Sequence, residues 1–100
     1  MSEVRIETLG AGQHLLSGTL TFATVPQLYT QGAALFSNAA TTVTLDLQGV
    51  KRTDSAGLAL LMEWLRSARA QNKTIQFKNI PAQMMSIARL SGLDTILPLT

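Results

Sequence analysis

Residues 54–71 read Asp-Ser-Ala-Gly-Leu-Ala-Leu-Leu-Met-Glu-Trp-Leu-Arg-Ser-Ala-Arg-Ala-Gln, and this run constrains the chain more than any other. It is the longest stretch with helical periodicity, and it begins at a sharp polar corner. Asp54 or Ser55 can cap its first turn, because a short side-chain oxygen accepts from the free N–H groups there. At 100° per residue, Leu58, Leu61, Met62 and Leu65 share a face within about 100° of arc, the width of a core stripe. Arg69 closes that stripe, where its stem stays covered and its head reaches water. Ala56, Leu60, Glu63, Trp64 and Ser67 fall on the opposite face. With Leu60 and Trp64 outward and one turn apart, this second face is a candidate docking surface. The competing reading turns Trp64 into a flank residue folded over a neighbouring loop; Trp is common in both settings.

The rest of the chain supplies a sheet for that helix. Val4, Ile6 and Thr8 alternate with Arg5 and Glu7, Gly10-Ala11-Gly12 turns, and residues 13–18 return, so a hairpin is expected. Thr24-Val25-Pro26-Gln27 has the form of a capping box with Pro in the first turn. Val25, Leu28, Gly32, Leu35, Phe36 and Ala39 then recur at helical spacing, predicting a helix over 25–38. Tyr29 borders that stripe and fits surface or core. Val43, Leu45 and Leu47 alternate with Thr44 and Asp46 in a strand over 43–47, which Gln48-Gly49 breaks. Ile75 and Phe77 point inward from a strand over 74–78. Asn79-Ile80-Pro81 opens a third helix, over 81–91, with Met84, Ile87 and Ala88 inside. Gly92-Leu93 is read as its left-handed C-cap. Ile96 and Leu97 are a candidate for a short last strand.

The order β, β, α, β, α, β, α predicts an α/β fold with a mixed sheet whose later strands are parallel. A length of 100 residues suits one domain, taken here as residues 1–100.

Function is narrowed first by what the residues do not supply. There is no cysteine, which excludes disulfides, thiolate metal sites and thiol nucleophiles. His14 is the single histidine and reads as a strand residue rather than a ligand or base. No phosphate-cradling or dinucleotide glycine motif occurs, and neither a metal-ligand spacing nor a supported Ser/His/Asp set is present. Asp46 and Asp54 read as a turn former and a cap rather than an acid–base pair. No catalytic residue, cofactor or metal is therefore expected. The basic residues are scattered and aromatics few, so no nucleic-acid footprint is expected. No apolar run approaches the ~18 residues of a membrane span, so no direct membrane insertion is expected. Glu3, Arg5 and Glu7 near the start do not fit a signal peptide. The chain is expected to work inside the cell. Charged residues make up only 14%, at a net charge of +2, so part of the surface is expected to be covered by a partner.

The corner at residues 53–57 carries the remaining signal. A helix N-terminus offers free N–H groups and a positive dipole end. A phosphate on a hydroxyl there would bring nearly two negative charges. Leu45-Asp46-Leu47, Val50 and Asp54-Ser55-Ala56-Gly57-Leu58, with Ser17-Gly18-Thr19-Leu20 and Gly92-Leu93, resemble the STAS domain family, which includes bacterial anti-sigma-factor antagonists. The resemblance spans nearly the whole chain. It implies a central sheet of four or five strands with helices packed on it, and a protein that works by docking. In phosphorylation-switched antagonists the residue before the corner glycine is the Ser or Thr that a kinase modifies. Here it is Ala56, and Ser55 lies one place earlier, about 100° round the helix.

Residues 16–25 and 54–61 resemble more closely the MlaB-like branch of the family, the small STAS subunits of Mla phospholipid ABC transporters. That resemblance implies a non-catalytic subunit that binds and regulates or stabilises the transporter's cytoplasmic ATPase, in outer-membrane lipid asymmetry. Its location would be cytoplasmic, peripheral to the inner membrane through the partner. The alternative is an anti-sigma-factor antagonist whose partner is an anti-sigma factor kinase. On either reading the expected partner-binding residues are Asp54, Ser55, Ala56, Gly57, Leu60, Glu63 and Trp64, with Ser55 a position open to phosphorylation.

Overall fold

A computed structural model describes residues 4–36 and 41–98. Four strands, β1 (Val4–Gly10), β2 (Gln13–Leu20), β3 (Thr42–Thr53) and β4 (Thr74–Lys78), form one sheet in the order β1-β2-β3-β4. β1 and β2 are an antiparallel hairpin. β2 pairs parallel with β3, and β3 parallel with β4. The crossovers are α1 (Val25–Gly32), which continues as a 3₁₀ turn (Ala33–Phe36), and α2 (Ser55–Ala70). α3 (Ala82–Leu90) follows β4. The mixed sheet, its parallel later strands and the helices at their expected places all stand. The first helix is α-helical only to Gly32, and residues 37 and 38 of its expected span lie outside the described residues.

Side-chain alternation explains how the layers meet. Val4, His14, Leu16, Leu20, Val43, Leu45, Leu47, Ile75 and Phe77 are buried on one side of the sheet. Between them stand exposed or half-buried residues such as Arg5, Glu7, Leu15, Asp46 and Gln76. A sheet with one solvated side gives this alternation. α2 packs between α1 and α3 in the helical layer. Its buried set is Gly57, Leu58, Leu60, Leu61, Trp64, Leu65 and Ala68.

β3 runs through the expected break at Gln48-Gly49. Its register against β2 passes from Leu15–Asp46 to Ser17–Gly49, so β3 gains a residue, and a second irregularity separates Gly18–Val50 from Thr19–Arg52. Bulges bend a strand without ending it. Here the Asp46 carboxylate accepts from Gln48 N–H at 2.9 Å. A Cβ on Gly49 would crowd Ser17 and the Leu16 carbonyl, so glycine lets the strands close up at this point. Asp46 also accepts from Asn79 Nδ2 at 3.0 Å.

Both later helices end in a Schellman arrangement. In α3, Leu93 N–H reaches Ala88 O at 2.8 Å and Gly92 N–H reaches Arg89 O at 3.2 Å, with Gly92 at φ 72. In α2 the left-handed residue is Asn72, and Lys73 N–H reaches Ala68 O at 2.8 Å. Ile96 and Leu97 form turns rather than a strand. Their segment still touches the sheet, because Phe77 N–H donates to Pro98 O at 3.0 Å on the edge of β4.

Candidate docking face

The α2 corner is built by one carboxylate. Asp54 sits at the N-cap with φ −131 and ψ −168, and its Oδ1 accepts from Ala56 N–H at 2.9 Å. Of the two expected caps, Asp54 is the one used. Its Oδ2 accepts from Phe22 N–H at 3.1 Å, and its own N–H donates to Leu20 O at 3.3 Å. One side chain thus starts α2 and holds the β2–α1 connection against it. Gly57 fits beneath: a Cβ there would overlap Thr53 Oγ1 and crowd the Leu20 carbonyl and side chain.

The β2–α1 connection is tied from inside by Thr24. Its hydroxyl donates to Thr19 O at 2.7 Å and accepts from Thr21 N–H at 3.0 Å. The expected capping box gives way to this role, because the buried Thr24 hydroxyl turns back into the loop rather than forward onto α1. Thr24 and Val25 N–H both donate to Thr21 O, at 3.0 and 2.9 Å. Phe22 stands at the tip of this turn with 82% of its surface exposed. Beside it, Val25, Pro26, Ser55, Ala56 and Ala59 line a shallow groove of about 330 Å³.

The expected docking residues therefore divide. Asp54, Ser55 and Ala56 come together at the corner, with Ser55 exposed and Gly57 buried under them. Leu60 and Trp64 do not point outward: they are 1% and 2% exposed. The reason is geometric. α2 meets the sheet on one side and α1 on another, so its buried arc runs from Leu60 through Trp64 and Ala68 to Leu58, about 160° wide at 100° per residue. Trp64 lies against the α1 backbone, where a Cβ on Gly32 would overlap the indole at Nε1. It is a core residue in the α1–α2 contact. Glu63 is half-buried and accepts from Arg66 at 3.1 Å, on a second shallow groove with Met62, Leu65 and Arg69.

Phe22, Val25, Pro26 and Ala59 line the groove beside the corner, and periodicity does not single them out. Phe22 carried the one usable signal, a large aromatic in a threonine-rich connector with no helix or strand period to bury it. Tyr29, open in sequence, is on the surface. His14 is a buried strand residue, as expected. Its Nδ1 lies 3.2 Å from Thr8 Oγ1, and burial pushes the imidazole below its ordinary value of 6.5. Among the described residues, no His, Asp and Glu side chains cluster as a metal site would require, and no helix is long and apolar enough to cross a membrane.

Known proteins share this architecture. Residues 7–98 match the family model described as Mlab, STAS domain. The intermembrane phospholipid transport system binding protein MlaB of Haemophilus influenzae is 32% identical over 82 residues, covering 79% of this chain and 78% of that protein. A chain of the Acinetobacter MlaFEDB complex in its ATP-bound Vtrans2 conformation superposes with a TM-score of 0.82 at 26% identity, over 97% of this chain and 100% of that one. The anti-sigma factor antagonist SpoIIAA in its unphosphorylated form shares the fold, with a TM-score of 0.73 at 20% identity over 97% of this chain and 87% of that one.

Proposed function

The chain belongs to the STAS domain family, and from that premise we propose that it is a non-catalytic subunit of an Mla-type phospholipid ABC transporter. As a single STAS domain it binds the transporter's ATPase and regulates or stabilises it, in the service of outer-membrane lipid asymmetry. It works in the cytoplasm, held at the inner membrane through that partner. The observation that carries the reading is likeness along the full length of both chains to a component of the Acinetobacter MlaFEDB complex. The partner-binding face is Asp54, Ser55 and Ala56 with the Phe22 groove, Gly57 setting the corner from below and Glu63 at its far margin. Leu60 and Trp64 support this face from the core.

The corner suits lasting contact. A partner seated there meets Ala56, Ala59, Pro26 and the Phe22 ring, small or apolar surfaces that desolvate cheaply. Partner switching, with an anti-sigma factor kinase as partner, draws on the shared fold and the exposed Ser55 hydroxyl. Against it stands Ala56, a side chain with no phosphate acceptor.

The test is reconstitution with the Mla-type ATPase of the same organism. A stable complex is expected on size exclusion, with a changed rate of ATP hydrolysis. The chain alone should turn over no nucleotide, lipid or ester, since no set of groups supplies nucleophile, base and charge stabiliser together. Failure to form that complex, with capture of an anti-sigma factor kinase instead, would transfer the assignment to partner switching.

A further inference from the structure

We infer that the outer edge of β1 pairs antiparallel with β1 of a second copy of this chain, about a two-fold axis at Ile6, so that Arg5 of each copy meets Glu7 of the other. This goes beyond the functional reading and does not rest on it.

The edge comes first. β1 and β4 are the outer strands of the sheet. At β4, Pro98 O takes up the Phe77 N–H. At β1, the backbone of residues 5–8 bonds only to β2 among the described residues. A row of outward N–H and C=O groups is a template for another strand. The usual protections of such an edge are missing here. β1 has no proline and no lysine. It turns no charge toward the helices either, since Ile6 packs on the core while Arg5 and Glu7 are exposed on the other side.

Charge then selects the partner and the register. Two copies keep their helices on one side of a joined sheet only if paired residues share a face, so the axis passes at a single residue. The β1–β2 ladder is regular from Val4 to Thr8, before the irregularity between Thr8 and Gly10. Ile6 is the centre of that stretch. An axis at Arg5 would set arginine against arginine, and one at Glu7 glutamate against glutamate. Like charges directly opposite are destabilising. An axis at Ile6 sets Arg5 against Glu7 twice. Within one chain these two already pair along the strand at 3.0 Å, both of them exposed. In the dimer the four charges alternate in a square, each beside two of opposite sign, and a network of this kind is worth more than an isolated exposed pair. The interface is isologous and closes at two copies. Resting on a short strand edge, it is weak.

Analytical ultracentrifugation of the chain from about 1 μM to about 1 mM tests this, the span in which a weak association shows itself. The parent should pass from monomer to dimer, and hydrogen exchange of the backbone amides within residues 5–8 should slow as it does. Arg5→Glu and Glu7→Arg each make the four charges alike, so each should raise the dimer Kd about tenfold, and less at high salt. Mixed together, these two variants should associate with each other. The Arg5→Glu/Glu7→Arg exchange should return the Kd to within about twofold of the parent, because the square survives with its signs reversed. Thermal melts confirm that the variants fold, and the exchange measurement on the parent needs no variant. A parent that stays monomeric up to about 1 mM overturns the inference. So does a dimer that the single variants leave intact, or one in which the amides of residues 5–8 exchange as in the monomer. Slowed exchange at those amides only in complex with the Mla-type ATPase would assign the edge to that partner, overturning the inference and leaving the functional reading standing.

Discussion

At Gly32 the α1 backbone lies against the Trp64 indole with no room for a methyl group. Two residues on different helices are thereby coupled, the missing side chain of Gly32 making space for the indole of Trp64. Gly32→Ala should cost about 1–3 kcal/mol by overpacking, although alanine is the better helix former. Trp64→Ala should cost about 3–5 kcal/mol by leaving a cavity. Trp64→Phe should cost less, because Trp64 Nε1 is buried without a hydrogen-bond partner and its removal loses no bond. Urea denaturation orders the three; a Trp64→Ala protein as stable as the parent would remove Trp64 from the core. His14 makes stability depend on pH. Its folded value is lowered by burial, so the unfolded chain takes up the proton more readily. Stability should therefore be full above 6.5 and decline as pH falls through and below that value. His14→Gln, compared at pH about 7.5 and about 5.5, should flatten the decline.

Elements impose what single residues do not announce. Periodicity finds α2, the hairpin and the strands, because each has one side in the core and one outside. It does not find the direction of Leu60 and Trp64, since a helical wheel does not say how many neighbours a helix will have. A helix flanked by α1, α3 and the sheet buries more than one stripe. The length of β3 was hidden for a related reason: Gln48-Gly49 has the composition of a break, and only pairing with Ser17 makes it a bulge. Asp54 was legible as a cap, but its hold on Phe22 joins residues 32 apart in sequence. That second role has its own test. Asp54→Ala should lose about 1 kcal/mol with the cap. Asp54→Asn keeps an oxygen for Ala56 N–H but offers Phe22 N–H an amide donor in place of an acceptor. It should retain most of the stability while hydrogen exchange at the Phe22 amide speeds up. Unchanged exchange in Asp54→Asn would mean that the loop is held by Thr24 alone.

On the scale of the whole molecule, the two sides of the protein differ in what they can dock. The open side of the sheet shows polar residues such as Gln76 and Asp46 beside the Arg5–Glu7 pair. The corner instead shows an aromatic ring, small residues and the Ser55 hydroxyl around one groove. Ser55 decides whether that surface is a fixed contact or a switch. Asp54 rather than Ser55 caps α2, so Ser55→Ala should change stability by no more than about 0.5 kcal/mol. Its ATPase affinity should stay close to that of the parent, because a methyl group fits a groove already lined by Ala56 and Ala59. Ser55→Asp is a different perturbation. Placed on α2 directly after Asp54, it sets two carboxylates side by side and puts a charge where the partner would need an apolar surface. Helix-end N–H groups return only about 0.3–1 kcal/mol at an exposed site. Ser55→Asp should therefore bind the ATPase more weakly than Ser55→Ala. Affinities of both variants, with the intact mass of the protein from its native cell, check this. An Asp variant that binds better than the Ala variant, or a phosphorylated majority species, would show that the corner is switched at Ser55 despite Ala56.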